Sequence, residues 1–284
     1  MKLVLGSAQF GSDYGLVKGK KIKNLDIFKI ENLVFKSKIS FIDTSNNYGN
    51  SEYIIGNSKL KKLKIITKFK LPNENISIKN WVDLKINLSL KKLNVNNIYG
   101  LLIHDVNDLF KKNGKDYLKC LHNLKKSGVV KYIGLSVYCP NDLNRVWKFW
   151  KPDIVQLPFN IFDQRFLLSK WLEKLKKNKV KIFARSCFLQ GLLISDYKLI
   201  QQFKKYNNLL DRFSNWCLDN KISRIKACVH FIKKHHNLVD YLVVGFNNYD
   251  QLKESIKVFN QKTVKTTYVF NSNKLSLIDP RRWT

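Results

Sequence analysis

The chain contains no C-x-x-C pair, and its five cysteines (Cys120, Cys139, Cys187, Cys217 and Cys228) are scattered and odd in number. That spacing speaks against a disulfide framework or a paired thiolate site, and suits free thiols in a reducing cytoplasm. Long apolar runs are also missing. None reaches the ~18 to 20 residues of a membrane span, and the stretch between Lys2 and Gly6 is too short for a signal-peptide core. No membrane span is expected. Acidic residues are few, 21 against 52 basic, giving a net charge of +31. Arginine is rarer still, 7 of those 52, so lysine supplies the other 45. Arginine is the better reader of phosphate and base edges, and the lysines sit in dispersed clusters among abundant Asn and Ile. They read as solvated faces, and no specific nucleic-acid partner is expected. The field would still attract anionic small molecules.

What is present is enough for a full core: 284 residues, 44% hydrophobic and 13% aromatic. A short apolar run, a polar or Gly-bearing loop and an amphipathic helical pattern recur along the whole length. Strands are expected at Lys2–Leu5, Ile39–Ile42, Lys64–Lys68, Ile98–His104, Lys131–Ser136, Asp153–Leu157, Val180–Ala184 and Tyr241–Val244. Helices are expected near 25–36, 51–57, 78–93, 116–127, 140–147, 166–177, 198–220, 222–235 and 249–259, with 186–196 as a loop. Eight such units without a domain-sized linker predict one (β/α)8 TIM barrel domain over 1–284. A doubly wound sheet fits less well, because no Gly-x-Gly-x-x-Gly follows the first strand.

In a barrel, the C-terminal ends of the strands gather around one mouth. Asp43, Lys68, His104, Ser136, Gln156 and Arg185 all fall at such ends, and Tyr48 lies in the loop after Asp43. So many polar groups in one place would be costly without partners, which points to a polar ligand. A free phenol with a pKa near ~10 is a weak acid at neutral pH. A lysine ammonium about 4 Å away contributes on the order of 4 kcal/mol, enough to favour phenolate by roughly three units before desolvation subtracts. Asp43 can hold Lys68 charged, and His104 can orient a carbonyl oxygen. The set suits protonation of an oxygen while a hydride arrives at its carbon.

Other groups read as structural. Cys228, His230, His235 and His236 lie in one helical pattern without a carboxylate, as surface histidines at a helix end, and no metal is expected. Cys139 and Cys187 read as packing residues, and Asp105 and Asp108 as loop or cap residues. The tail ending in Trp283 either frays or docks on the barrel.

Over essentially its full length the chain resembles the aldo-keto reductase family, in its bacterial members. The matching pieces are Leu5-Gly-Ser-Ala-Gln-Phe-Gly11, Ile42-Asp-Thr-Ser-Asn-Asn-Tyr-Gly-Asn-Ser-Glu52, Ile66-Thr-Lys68, Leu101-Leu-Ile-His104, Gly128 to Ser136, Val155-Gln156 and Val243-Val-Gly245. The resemblance implies a barrel that binds NADPH or NADH, NADPH slightly favoured, and reduces an aldehyde or ketone, some members acting in carbohydrate metabolism. Tyr48 would be the general acid, Lys68 its modulator, Asp43 the lysine's partner and His104 the carbonyl orienter. Cofactor contacts would come from Gln9, Phe10, Asp43, Ser136, Gln156, Arg185, Ser186, Phe188, Gly191, Gly245, Asn247, Gln251 and Glu254. Phe10, Tyr14, Asn47, Tyr138 and Phe159 would line the substrate pocket, a mixture that suits a sugar. A regulatory, cofactor-binding barrel with little turnover is the alternative. Three features depart from the family pattern. Val137 replaces the Asn after Ser136, Arg185 stands where an aromatic usually stacks on the nicotinamide, and Gly245, Phe246 and Gln251 replace a Lys, Ser and Arg.

Overall fold

Alternation with period two along the strands positions everything else. The computed structural model describes residues 1–11, 15–16, 24–72, 76–263 and 270–283. Its strands are β1 (Lys2–Gly6), β2 (Phe41–Asp43), β3 (Lys64–Phe69), β4 (Ile98–Ile103), β5 (Val130–Ser136), β6 (Ile154–Pro158), β7 (Lys181–Arg185) and β8 (Tyr241–Val244). They pair in parallel in chain order, and β1 bonds both β2 and β8, so the sheet closes into an eight-stranded barrel. The helices that alternate with them complete a (β/α)8 architecture.

Inside the barrel, Val4, Phe41, Ile66, Leu102, Ile154, Phe183 and Val243 form one buried apolar cluster. The intervening strand residues, such as Leu5, Ile42, Leu101, Leu135, Val155, Ile182 and Val244, belong to a larger cluster shared with the helices. Two residues beyond each interior apolar side chain stands a rim position: Gly6, Asp43, Lys68, His104, Gln156, Arg185 or Gly245. The apolar plug therefore underlies the polar mouth, and the β8–β1 side of the rim carries glycine.

The helices are α1 (Ala8–Gly11), α2 (Asn24–Lys36), α3 (Ser51–Gly56), α4 (Ile78–Leu93), α5 (Gly114–Lys126), α6 (Pro140–Val146), α7 (Arg165–Leu168), α8 (Trp171–Lys177), α9 (Asn207–Asp219), α10 (Arg224–Lys234), α11 (Tyr249–Asn260) and α12 (Leu275–Ile278). Caps fix several starts: the Ser223 hydroxyl accepts from Lys226 N and the Asn248 side-chain Oδ1 from Gln251 N. Two expected helices are shorter than their patterns. That over 166–177 breaks at Lys170, with φ 59°. In a straight helix Phe166 and Trp171 would face about 140° apart, and the break lets both bury. The segment before α9 runs as short 3-10 turns, Tyr197–Leu199 and Gln201–Tyr206, instead of α-helix. The tail docks: Leu277 and Ile278 are buried, and the Trp283 ring meets Phe203 edge-on at 4.9 Å.

Candidate active site

The rim is held together by Asp43 at the end of β2. One carboxylate oxygen accepts from Lys68 Nζ at 2.7 Å, the other from Gln156 Nε2 at 2.7 Å, and Lys68 also donates to Thr44 O at 2.8 Å. Lys68 and Gln156 are 1% exposed and Asp43 5%. A buried ion pair survives only with further hydrogen bonds to both partners, and these are present. Lys68 Nζ sits 5.1 Å from the centre of the Tyr48 ring.

Tyr48 is carried by the turn between β2 and α3. Its amide donates to Ser45 O and its carbonyl accepts from Ser51 N, each at 3.0 Å. Gly49 enables the turn, with φ +52°, and a Cβ there would meet Gly11 O at 2.3 Å. A Cβ on Gly11 would in turn lie 1.7 Å from Tyr48 O. Two glycines thus let the end of α1 and the Tyr48 turn touch backbone to backbone. The turn is anchored from beneath by Ser51 Oγ, 2.8 Å from Ser7 Oγ and 3.0 Å from Thr44 Oγ1. Glu52, buried in α3, accepts from Thr67 at 2.7 Å and Ser89 at 3.0 Å, tying the turn to β3 and α4.

Burial raises the Tyr48 phenol above its ordinary value, Asp43 and Tyr138 add to the rise, and the Arg185 charge opposes it. Desolvation thus outweighs the push toward phenolate of roughly three units that a nearby ammonium was expected to give before desolvation is subtracted. The His104 ring stands edge-on to Tyr48 at 6.0 Å, and its Nδ1 lies 3.2 Å from Ser45 Oγ. Burial, followed by the charges of Lys68, Arg185 and Lys70, pushes His104 down to about 3, so the imidazole is neutral at physiological pH.

Two cavities meet over this rim. A cleft runs along the glycine side, bounded by Gly6, Ser7, Gln9, Asp43, Tyr48, Gln156, Arg185, Ser186, Phe188, Gln190, Gly191, Gly245, Asn247 and Gln251 among others. Gln9 is 7% exposed, and its buried Oε1 makes no hydrogen bond among the described residues. Asn247 N donates to Gln251 Oε1 at 2.6 Å, shaping the far end. A second cavity is bounded by Tyr48, Lys68, His104, Ser136, Tyr138, Gln156, Arg185, Ser186, Gln190, Pro280 and Arg281. Tyr48, Gln156, Arg185, Ser186 and Gln190 form the shared wall.

Some expected site residues lie elsewhere. Phe10 is 1% exposed and packs edge-on to Phe246 at 6.0 Å, within the core and outside both cavities. Phe159 is wholly buried against Phe231 and His235 of the helix layer, because it follows the outward-facing side of β6. Glu254 accepts from Ser223 Oγ at 3.0 Å and does not border the cleft. Asn47 is exposed and lines neither cavity, and Ser136 borders only the second. Tyr14 falls outside the described residues. His230 is not a surface group: it is 1% exposed and bonds Val258 O at 3.0 Å. Asp105 caps Asn107 N, but Asp108 is fully buried and accepts from Leu71 N at 2.7 Å, pinning the loop after β3. Cys187 is buried, its thiol pushed up to about 12, which makes it a packing group. Among the described residues no group of His, Cys, Asp or Glu could hold a metal, and no helix is long and apolar enough to cross a membrane.

Sequence reading missed Ser45, Gln190 and Arg281. Ser45 could have been suspected from its place two residues beyond Asp43. Arg281 could not, since it lies nearly 100 residues beyond Arg185 in a tail with no repeating pattern. Its guanidinium lies 3.8 Å from the Tyr138 ring centre, while Arg185 lies 4.3 Å from the same ring.

Several known proteins are similar to this chain in sequence or in fold. The sequence model of the Aldo/keto reductase family matches residues 2–272. An uncharacterized oxidoreductase of Bacillus subtilis, YqkF, is 23% identical over 247 residues, covering 79% of each chain. An uncharacterized leucine-rich repeat-containing protein of Amsacta moorei entomopoxvirus is 29% identical over 184 residues, 62% of this chain, which spans only 35% of that protein. Among solved structures, the holo form of an aldo-keto reductase from Bacillus halodurans superposes with a TM-score of 0.73 at 18% identity, covering 93% of this chain and 88% of that one.

Proposed function

Since the chain belongs to the aldo/keto reductase family, and is thus an oxidoreductase, we propose that it reduces an aldehyde or ketone to an alcohol with NADPH or NADH, Tyr48 delivering the proton. The observation that carries this reading is the convergence of Tyr48, Lys68, Asp43 and His104 at the rim, with Asp43 and Tyr48 also bordering the cleft on the glycine side.

The cleft fits such a cofactor on its own terms. Gln9 Oε1 is a buried acceptor that a ligand amide or hydroxyl would satisfy. Gly6 and Gly245 leave the rim low where a flat ring would lie, and Gly191, at φ +94°, turns the backbone at the cleft wall. Gln156 and Ser136 would hold the nicotinamide amide, Ser186, Phe188 and Gly191 the pyrophosphate, and Asn247 and Gln251 the adenosine end. Bound there, the reduced nicotinamide would supply the hydride.

The chain's own residues do the rest. A phenol held above its usual pKa stays protonated across the physiological range, yet it is still a much stronger acid than the alcohol whose oxygen receives the proton. Lys68 stabilises the phenolate left behind, and Asp43 keeps that ammonium charged and pointed at the ring. His104, neutral at pH 7, can donate one hydrogen bond to the carbonyl oxygen without competing as an acid.

Tyr48→Phe removes the proton donor alone. Consumption of NADPH or NADH with a panel of small aldehydes and keto-sugars should fall by about 10²- to 10⁴-fold, the usual contribution of a general acid, while cofactor affinity by fluorescence titration stays within about twofold. Normal turnover in this variant would defeat the assignment. Cofactor binding with no turnover of any carbonyl in the wild type would favour a regulatory barrel instead.

A further inference from the structure

Around the mouth, most cations are already matched. Lys68 pairs with Asp43 at 2.7 Å, and Lys70 lies 3.6 Å from Asp105. Arg165 is held by two hydrogen bonds from its guanidinium to Asp163, and Arg281 by two to Asp279. Arg185 differs. Among the described residues it has no carboxylate within ion-pair distance, and its bonds go to neutral oxygens: Ser186 Oγ and Val137 O, each at 3.1 Å. A guanidinium has five N–H donors, so those two bonds leave three for a ligand.

Arg185 also faces the reacting end of the site. It borders the second cavity together with Tyr48 and His104, and lies over the Tyr138 ring at 4.3 Å, which limits its swing. A positive group fixed beside a carbonyl-binding site, with no carboxylate within ion-pair distance among the described residues, is matched best by a negative group on the substrate itself. Charge count selects the kind of anion. One unmatched guanidinium suits a monoanionic, planar carboxylate, which it can grip with two parallel hydrogen bonds. A phosphate dianion would call for a second unmatched cation, and Arg281 is committed to Asp279.

Resting on the reductase reading above, we propose that Arg185 anchors a carboxylate on the substrate, so that the compound reduced is an oxo-acid or aldehydo-acid and not a neutral sugar. The carboxylate lies on Arg185 while the carbonyl oxygen meets Tyr48 and His104. Hydride adds to the carbonyl carbon, the proton goes to its oxygen, and the carboxylate is unchanged.

The test compares 4-carboxybenzaldehyde with its neutral methyl ester, methyl 4-formylbenzoate, by NADPH consumption in the wild type, Arg185→Gln and Arg185→Lys. The wild type should prefer the carboxylate in kcat/KM by about 10- to 100-fold, the range of a charge-assisted hydrogen bond. In Arg185→Gln the ratio should fall to about one, whatever happens to the absolute rates through cofactor contacts, and Arg185→Lys should restore part of it. A wild-type ratio near one, or a ratio unchanged in Arg185→Gln, overturns the proposal. Calorimetric titration of the NADP⁺-loaded protein with 4-(hydroxymethyl)benzoate separates the two readings. Binding that Arg185→Gln abolishes, with no aldehyde reduced, leaves the anchor standing and removes the reductase reading. No binding to the wild type removes the anchor.

Discussion

At the scale of single residues, the site works by setting neighbouring charges against burial. Lys68 is almost wholly buried, yet Asp43 at 2.7 Å and Thr44 O at 2.8 Å stand in for water. The same lysine, with Arg185 and Lys70, adds to the burial that drives the proton off His104. This has a consequence for stability with a definite sign. The unfolded imidazole takes its proton near about 6.5, whereas the folded one resists to about 3. Between those values the unfolded state binds the extra proton, so His104 makes the fold lose stability as pH falls. His104→Gln should therefore lose less stability than the wild type on going from pH 7 to pH 4. Melting temperatures of the two proteins across that range give the comparison; parallel curves would show that His104 titrates normally.

At the scale of elements, the position of Tyr48 depends on a contact between two backbones. The Tyr48 turn approaches α1 so closely that Gly11 has no room for a methyl group. Gly11→Ala must push the turn away and take Tyr48 with it. Thermal stability should drop by several degrees, in line with about 1–3 kcal/mol for overpacking, and turnover should fall at least tenfold even at saturating substrate, because misplacement by about 1 Å costs on the order of 10²-fold. An Ala variant with wild-type kcat would show that the turn can shift without harm. The glycines at 11 and 49 were visible in the sequence, but only their pairing across 38 positions gives them this meaning. The docked tail is a similar case, since Arg281 and Trp283 find Tyr138 and Phe203 only in the folded chain.

At the scale of the whole molecule, the net charge of +31 acts on any anion that approaches. Its lysines are mostly solvated, so their joint field is screened as the Debye length shrinks from about 10 Å at 0.1 M salt to about 3 Å at 1 M. The association rate of NADPH should fall several-fold over that range while its dissociation rate changes little, because steering acts on encounter and not on the formed contacts. Stopped-flow fluorescence reads both constants. Equal slowing of association for NADPH and an uncharged ligand would mean that the surplus charge does not steer.

The sequence by itself determined the eight strands, their order and the polar residue that ends most of them. Strand period and strand-end chemistry are local, and a barrel converts them directly into a mouth. Asp43, Tyr48, Lys68 and His104 were legible for that reason. Tertiary structure alone decided which way neighbouring side chains face and which charges meet. Phe10 and Phe159 looked like pocket residues by position, but they turn into the packed layer behind the sheet. Gln156 reaches across to Asp43, 113 positions away, and among the described residues Arg185 has no carboxylate within ion-pair distance, whereas Arg165 and Arg281 each bond one two residues away. The Tyr48 phenol rises because desolvation depends on what surrounds it in three dimensions, a quantity that no spacing along the chain contains.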